Sequence, residues 1–447
     1  MDQALGSLRE EAFEIADGRA DPPPLVRKVL ADLERMIGFA GIAFLLGVAY
    51  LASNNRSAIR WKTVGWGLAL QLAFALLVLK VPFGQWALTK VAAGVARLIG
   101  FADEGSAFLF RWLVTDPDPD RFIFAFQVLP IVIFISSFFT VLYYLGVMQW
   151  IVLAMAKLMT RIMGVSGSES LAAAANVFMG QTEAPIVVAP YIGKMTHSEL
   201  MALMTGGMAT VSGAILGGYI ALGVNPEYLI AASVMAAPAS LVMAKLLVPE
   251  TEHSVTAGKV ELQVEKVDVN IIDAAARGAG QGLKLALNIG AMLIAFVSII
   301  YMLNGILGWL GEFVGFTDAN ALTMQGILGY LLAPLTFLMG VPWDDCFNVG
   351  QLIGLKIVLN EFLAYFELSN MQQYATEGPG LLSAKADMIA TYALCGFANF
   401  SSVAIQIGGI GGLAPERKSD LAKLGMRAVL GGSMATFMTA TLAGIIS

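Results

Sequence analysis

The chain has 447 residues, 57% of them hydrophobic and only 13% charged, with a mean hydropathy of +0.73. A water-soluble globular chain carries roughly 25% charged residues, so most of this surface is written for lipid. The net charge of −6 comes without a basic stripe, which argues against nucleic-acid binding. The two cysteines, Cys346 and Cys395, cannot form a C-x-x-C motif, and the two histidines, His197 and His253, sit in polar connections. A zinc, redox or hydrolase centre is therefore not expected, and neither is an enzyme.

Residues 1–35 read as a polar arm broken by Pro22-Pro23-Pro24, without the basic-then-apolar order of a secretory signal. Leu25–Ile37 has amphipathic spacing suited to lying along a membrane face. A spanning helix needs about 20 apolar residues. Segments of that kind run over 36–52, 64–82, 121–147, 198–223, 227–248, 284–306, 384–407 and 425–446. The stretches 86–101 and 149–163 are helical by period but carry Lys90, Arg97, Lys157 and Arg161, which makes them interfacial. Residues 322–341 are interrupted by Pro334 and are read as not spanning.

Two segments, 169–194 and 345–376, carry a polar knot in the middle instead of at the ends. The first knot is Gly180-Gln181-Thr182-Glu183-Ala184-Pro185 and the second is Asn360-Glu361-Phe362. Half of such a segment, about 13 residues, rises roughly 19 Å as a helix. That passes the midplane of a hydrocarbon core of about 30 Å without crossing it. Each segment is thus a helical hairpin that enters and leaves on one side, or else a single kinked span. Loop charges decide between them. Basic residues cluster at Arg56-Arg60-Lys62, Lys157-Arg161-Lys194, Lys245 through Lys284, and Arg417-Lys418-Lys423-Arg427. The positive-inside rule wants all of them cytoplasmic. They share one side only if both segments are re-entrant and 322–341 does not span. This leaves about eight spans, with both termini on the periplasmic or extracellular side.

An internal repeat follows. Hairpin 169–194 precedes a span holding Ala209-Thr210-Val211-Ser212-Gly213, and hairpin 345–376 precedes one holding Ala398-Asn399-Phe400-Ser401-Ser402. The two hairpins open to opposite sides, so the units are inverted. Inverted repeats with broken helices meeting at the midplane are common among secondary transporters. The expected organisation is an arm at 1–35, scaffold helices at 36–163 and 268–341, and transport repeats at 169–248 and 345–446.

Glu183 and Glu361 are carboxylates at the centres of apolar segments, where burial costs several kcal/mol unless they are paired, protonated or solvated. Either they contact substrate or ion, or Lys356 neutralises Glu361 within its hairpin. Gly180 and Pro185 bracket the first knot and free backbone carbonyls that can coordinate a hard cation. Asn176 lies one turn before the tip, and Thr210 and Ser212 supply hydroxyls opposite it. An isolated intramembrane hydroxyl usually bonds its own helix backbone, but the cluster Thr210-Val211-Ser212-Gly213, with Gly217-Gly218 nearby, suits local unwinding. Neither Gly408-Gly409-Ile410-Gly411-Gly412 nor Gly278-Ala279-Gly280-Gln281-Gly282 follows a strand, so both are helix punctuation and not phosphate loops. Asn399-Phe400-Ser401 is a chance sequon inside a span.

At the knots the sequence resembles the concentrative nucleoside transporter family. The residues that carry this are Gly180-Gln181-Thr182-Glu183-Ala184-Pro185, Gly354-x-Lys356-x-x-x-Asn360-Glu361-Phe362 and Gly396-Phe397-Ala398-Asn399-Phe400-Ser401-Ser402. The similarity runs from about residue 36 to the C-terminus. It implies a Na+-driven symporter of the cytoplasmic membrane, assembled as a homotrimer, with a mobile hairpin-containing domain inside a scaffold. It further implies that Gln181, Thr182 and Glu183 contact the nucleobase. Glu361, Asn399 and Ser402 would hold the ribose, with Phe397 and Ile215 packing nearby. Na+ would sit at Asn176, Thr210 and the carbonyls of Met179 and Val211, with no organic cofactor. The rival expectations are a proton-coupled nucleoside or nucleobase carrier and, from another class, a channel or substrate-sensing membrane protein.

Overall fold

In the computed structural model, residues 24–115, 123–258, 268–313, 315–316, 321–373 and 381–447 are described, and all their regular structure is helical. The arm expected at 1–35 lies outside the described residues up to position 23. From Pro24 the chain enters α1 (Pro24–Leu51), one uninterrupted helix. The stretch expected to lie along the membrane face therefore runs straight into the first apolar segment. Next come α2 (Trp61–Leu79), the long α3 (Pro82–Phe110), α4 (Leu129–Tyr144) and α5 (Val147–Met163).

A first helical hairpin follows. Its first arm is α6 (Gly167–Asn176); its second is interrupted ahead of Pro190 into α7 (Ala184–Val187) and α8 (Ala189–Ile192), with Pro185 in the first turn of α7. The next apolar segment is not one helix. It breaks into α9 (His197–Ala209) and α10 (Gly213–Ala221), and the unbroken α11 (Pro226–Leu247) comes after. The chain then forms α12 (Ile271–Glu312) and α13 (Met324–Leu338). A second hairpin, α14 (Cys346–Val358) and α15 (Glu361–Gln373), precedes another broken helix, α16 (Ala384–Leu394) and α17 (Phe400–Leu413). The unbroken α18 (Lys418–Ile446) ends the chain. Hairpin, broken helix and long helix thus occur twice in the same order.

Six stretches among the described residues are long and apolar enough to cross a membrane: Trp61–Leu79, Phe124–Tyr144, His197–Ala221, Pro226–Leu247, Ile271–Glu312 and Pro415–Ile446. The expected spans at 36–52 and 384–407 fall on a shorter apolar helix, Arg35–Leu51, and on the broken pair α16–α17. The α9–α10 and α11 segments and most of α18 are buried inside the protein, whereas α12 exposes most of its length. The repeats form the centre, and α12 lies at the periphery.

The starts of α6 and α9 are capped alike. Ser166 and Glu169 form a capping box, as do Thr196 and Glu199, so each hydroxyl accepts a backbone N–H and each carboxylate returns the favour. Lys245 pairs with Glu169 and donates to Ser198 Oγ at 2.9 Å. Arg417 donates to the carbonyls of Ile192 and Met195. Both side chains are buried. Two residues counted as loop charges therefore fasten the base of the first hairpin to α9, α11 and α18.

Glycines set the closest helix crossings. On α12 the small residues Ala274, Gly278, Gly282 and Ala286 recur every fourth position and are among the few buried residues of a largely exposed helix. A Cβ at Gly278 would lie 2.7 Å from Ser137 Cα, and one at Gly282 would lie 2.7 Å from Ile133 Cα. Ser137 Oγ donates to the Ala275 carbonyl at 2.8 Å across the same seam. This is the small-residue packing that membrane helices use where no hydrophobic force distinguishes protein from lipid. The Gly278–Gly282 run is thus a packing seam with α4 and not punctuation. The run at 408–412 likewise lies inside α17, with Gly409 against Thr182 and Gly411 against Lys418.

The seam yields a direct test. Gly282→Leu should force α4 and α12 apart, at a cost of about 1–3 kcal/mol for overpacking. The expected outcome is a lower melting temperature of the detergent-purified protein, with Gly280→Leu, which has open space around it, as the neutral control.

Candidate functional site

The site forms where the two broken helices meet. Residues 210–212 and 395–399 leave the helical path, which frees backbone groups in the interior of an apolar protein. The two breaks bond each other: the Phe397 N–H donates to the Thr210 carbonyl at 3.3 Å. Gly396 is needed there, since a Cβ would stand 2.8 Å from the Met208 carbonyl oxygen. Each helix that resumes after a break is capped by the polar residue preceding it. Ser212 Oγ accepts the Ile215 N–H at 3.3 Å, and Asn399 Oδ1 accepts the Ser402 N–H at 2.9 Å and the Ser401 hydroxyl at 2.7 Å.

The hairpin tips reach across to the opposite repeat. Gln181, at the first tip, donates from Nε2 to Ser402 Oγ on α17 at 3.0 Å. Glu361, opening the second arm of the second hairpin, is buried. Its Oε1 accepts from Tyr219 Oη on α10 at 2.9 Å, and its Oε2 accepts from Asn399 Nδ2 at 3.2 Å. Two donors on two different oxygens hold the carboxylate in one orientation and leave lone pairs for further hydroxyl donors. Ile215 lies one turn before Tyr219 on the same face of α10, and Phe397 is buried at the second break.

Glu183 differs from Glu361. It is exposed at the first tip, where Thr182 Oγ1 donates to its Oε1 at 3.2 Å. A Cβ on Gly180 would collide with Glu183 Oε2 at 2.2 Å, so glycine lets the acid fold back over the tip. The two acids placed at matching points of the repeats are thus one open and one sealed. Lys356 does not pair with Glu361: its Nζ bonds the Ala393 carbonyl at 2.7 Å and Thr436 Oγ1 at 2.9 Å.

The residues expected around Na+ also converge. Asn176 is buried, and neither its Oδ1 nor its Nδ2 has a hydrogen-bond partner. It abuts α9 at Gly206, where a Cβ would come 2.9 Å from Nδ2. Thr210 Oγ1 donates to the Gly206 carbonyl at 2.9 Å, the backbone bond expected of an isolated hydroxyl. As a donor in that bond, the hydroxyl keeps its lone pairs for accepting or coordination. The Gly213 N–H donates to the Phe178 carbonyl at 2.9 Å, bringing the turn at Met179 against the break at Val211. Among the described residues no donor reaches the carbonyls of Met179 or Val211. Orphaned amide, hydroxyl and free carbonyls form an all-oxygen set, which suits a hard monovalent cation.

Tyr219 and Gln406 escape the sequence reading. Gln406 is wholly buried and donates to the Met204 carbonyl at 3.0 Å. It packs beside Gln181 over Gly207, where a Cβ would meet both side chains within 2.9 Å. The signal was helical spacing: Gln406 follows Ser402 by four residues and Tyr219 follows Ile215 by four, so each shares a face with a named residue.

Three family descriptions match the chain in series. They are the Na+ dependent nucleoside transporter N-terminus over residues 40–113, nucleoside recognition over 125–225, and the Na+ dependent nucleoside transporter C-terminus over 228–444. An uncharacterized transporter of Haemophilus influenzae is 47% identical over 406 residues, or 91% of this chain and 96% of its own. Sodium/nucleoside cotransporter 1 of Mus musculus is 41% identical over 423 residues, covering 92% of this chain and 64% of that longer protein. Among solved structures, CNTnw in an inward-facing substrate-bound state shares 43% identity and a TM-score of 0.86 over 93% of this chain and 98% of that one. A CNTnw variant in an outward-facing state gives 42% identity and a TM-score of 0.88 over 93% and 99%. An all-helical membrane fold, a pair of polar hairpin tips and likeness along nearly the whole length lead to one assignment: the chain belongs to the Na+-dependent, or concentrative, nucleoside transporter family, a family of multi-pass membrane transporters whose coupling ion is Na+.

Proposed function

We propose that this chain is a symporter that imports nucleosides across the cytoplasmic membrane, driven by the Na+ gradient. The observation that carries the reading is the Glu361 carboxylate, clasped by Tyr219 and Asn399 beside the Gln181–Ser402 bond at the meeting of two helix breaks. A buried carboxylate with fixed orientation suits a diol, which donates two hydrogen bonds side by side; Glu361, Asn399 and Ser402 take the ribose. Gln181, Thr182 and Glu183 at the other tip face the base, with Phe397 and Ile215 giving apolar walls.

The orphaned Asn176 amide, the Thr210 hydroxyl and the carbonyls of Met179 and Val211 take Na+. A nucleoside is neutral and gains nothing from the membrane potential, whereas one Na+ carried with it gains about 2.3 kcal/mol per 100 mV. Alternating access would come from movement of the repeats at 169–248 and 345–446 within a scaffold of 36–163 and 268–341. The assembly is a homotrimer, with both termini on the periplasmic or extracellular side. Solved structures of the relative CNTnw in outward-facing, inward-facing and intermediate states support such a cycle.

Uptake of labelled uridine into proteoliposomes tests the whole reading. Uridine should accumulate above its equilibrium level under an inward Na+ gradient, and replacing Na+ by choline should abolish this. Accumulation that follows a pH gradient and ignores Na+ would establish the proton-coupled reading instead; mere equilibration would point to a channel.

Glu361→Gln and Asn399→Ala should each abolish Na+-driven uptake in folded protein, and full transport by either would defeat the site assignment. Tyr219→Phe removes one of the two donors on Glu361. At about 1.5–3 kcal/mol for a hydrogen bond to a charged group, it should weaken uridine transport roughly tenfold or more, read as kcat/KM. Asn176→Ala should raise the Na+ concentration needed for half-maximal uptake, measured by a Na+ titration at fixed uridine.

A further inference from the structure

The second repeat holds a charge that nucleoside recognition does not use. Lys356, on the first arm of the second hairpin, is wholly buried. Besides its bonds to the Ala393 carbonyl and Thr436 Oγ1, its Nζ lies 5.7 Å from the centroid of the Phe437 ring. The Thr436 hydroxyl spends its own proton on the Ser433 carbonyl at 2.9 Å, so toward Lys356 it can only accept. A carbonyl, a hydroxyl lone pair and a ring face are all electron-rich, and the three together describe a cation-binding cage. No carboxylate lies within ion-pair distance of Lys356 among the described residues, and both oxygens of Glu361 are engaged elsewhere.

The position of this cage is informative. Ala393 is the penultimate residue of α16, so its carbonyl belongs to the last turn, where helix carbonyls lack partners and the helix dipole favours positive charge. The break that sets Phe397 and Asn399 begins two residues later. In the first repeat the same station, the end of α9 facing the first arm of its own hairpin, carries the orphaned Asn176, the Thr210 hydroxyl and the free carbonyls. Among the described residues the first repeat directs no protein cation to these acceptors, whereas the second holds an ammonium supplied by its own hairpin.

We propose that Lys356 is the built-in cation of the second repeat, holding that helix break in shape as Na+ does in the first. The inference rests on the Na+-coupled nucleoside reading above. Lys356 is then a positioning residue: it keeps Asn399 aligned on Glu361 whether or not Na+ is bound. The ribose half of the site stands permanently formed, and the nucleobase half is completed only by the ion.

The test uses full-length protein in detergent, with tritiated uridine binding and the Na+-induced rise in melting temperature read in parallel. Unaltered protein should bind uridine more tightly with Na+ than without; absence of any uridine binding would overturn the nucleoside reading itself. Lys356→Met should weaken uridine binding about tenfold or more, both with and without Na+, the size expected for a lost charged hydrogen bond. It should keep the Na+-induced thermal shift, because the first repeat is untouched. Uridine affinity within about twofold of the unaltered protein, or loss of the Na+ shift together with uridine binding, would overturn the proposal. Should Lys356→Met not fold, Thr436→Val removes one acceptor and keeps the charge. It should weaken uridine binding about threefold or more with the Na+ shift intact, and unaltered affinity there would overturn the proposal equally.

Discussion

Every backbone amide in an apolar layer must find its partner inside the protein, since an unmet group there costs several kcal/mol. Two interrupted helices make that demand acute here. Much of the polar equipment near the site first answers it: the Thr210 carbonyl takes the Phe397 N–H, Ser212 takes the Ile215 N–H, and Asn399 takes the Ser402 N–H. What is left over after this settlement is the site. Asn399 still has an amide to offer Glu361, the Met179 and Val211 carbonyls still have lone pairs, and Asn176 has both its polar atoms. Recognition is assembled from the surplus of structural bonding, which explains why cap residues and proposed ligand residues coincide.

Charge is distributed by the same economy. Lys245 and Arg417 neutralise carboxylates and helix-end carbonyls at the base of the first hairpin, while Lys356 sits on one helix-end carbonyl and one hydroxyl at the second break. Of the two acids at the tips, Glu361 is held on both oxygens, whereas among the described residues the one side-chain donor to Glu183 is its neighbour Thr182. The sealed acid has its geometry set before any ligand arrives. The open acid is free to adjust to one.

Composition made the membrane class legible, and polar knots inside apolar segments made the hairpins legible, because both are local signals. Gln181, Glu361, Asn399 and Ser402 come together as the motifs suggested. Tyr219 was not legible: its partner Glu361 lies 142 residues away, and no periodicity encodes such a pairing. For Lys356 the acid nearest in sequence is not the partner, since the helix directs its ammonium to Ala393 and Thr436. Lys245 and Arg417 read as loop charges because sequence cannot show that a terminal basic residue is folded inward. The break at 210–212 is legible in the hydroxyl cluster beside Gly217-Gly218, whereas that at 395–399 lies within an apolar run that reads as a continuous span, and the glycines of α12 carry a packing role that depends on where α4 passes.

The hairpin tips exchange places: the first reaches α17 of the second repeat, and the second reaches α10 of the first. In an assembly of identical subunits this would be an isologous contact, with the same patch used twice. A truly symmetric contact of that kind would accept a guest in two equivalent orientations. Because both halves lie in one chain, each could be encoded separately, and they have diverged to an amide facing a hydroxyl on one side and a carboxylate facing a phenol on the other. A guest with two unlike ends then has a single way to sit, so its polarity relative to the membrane is fixed before any movement begins.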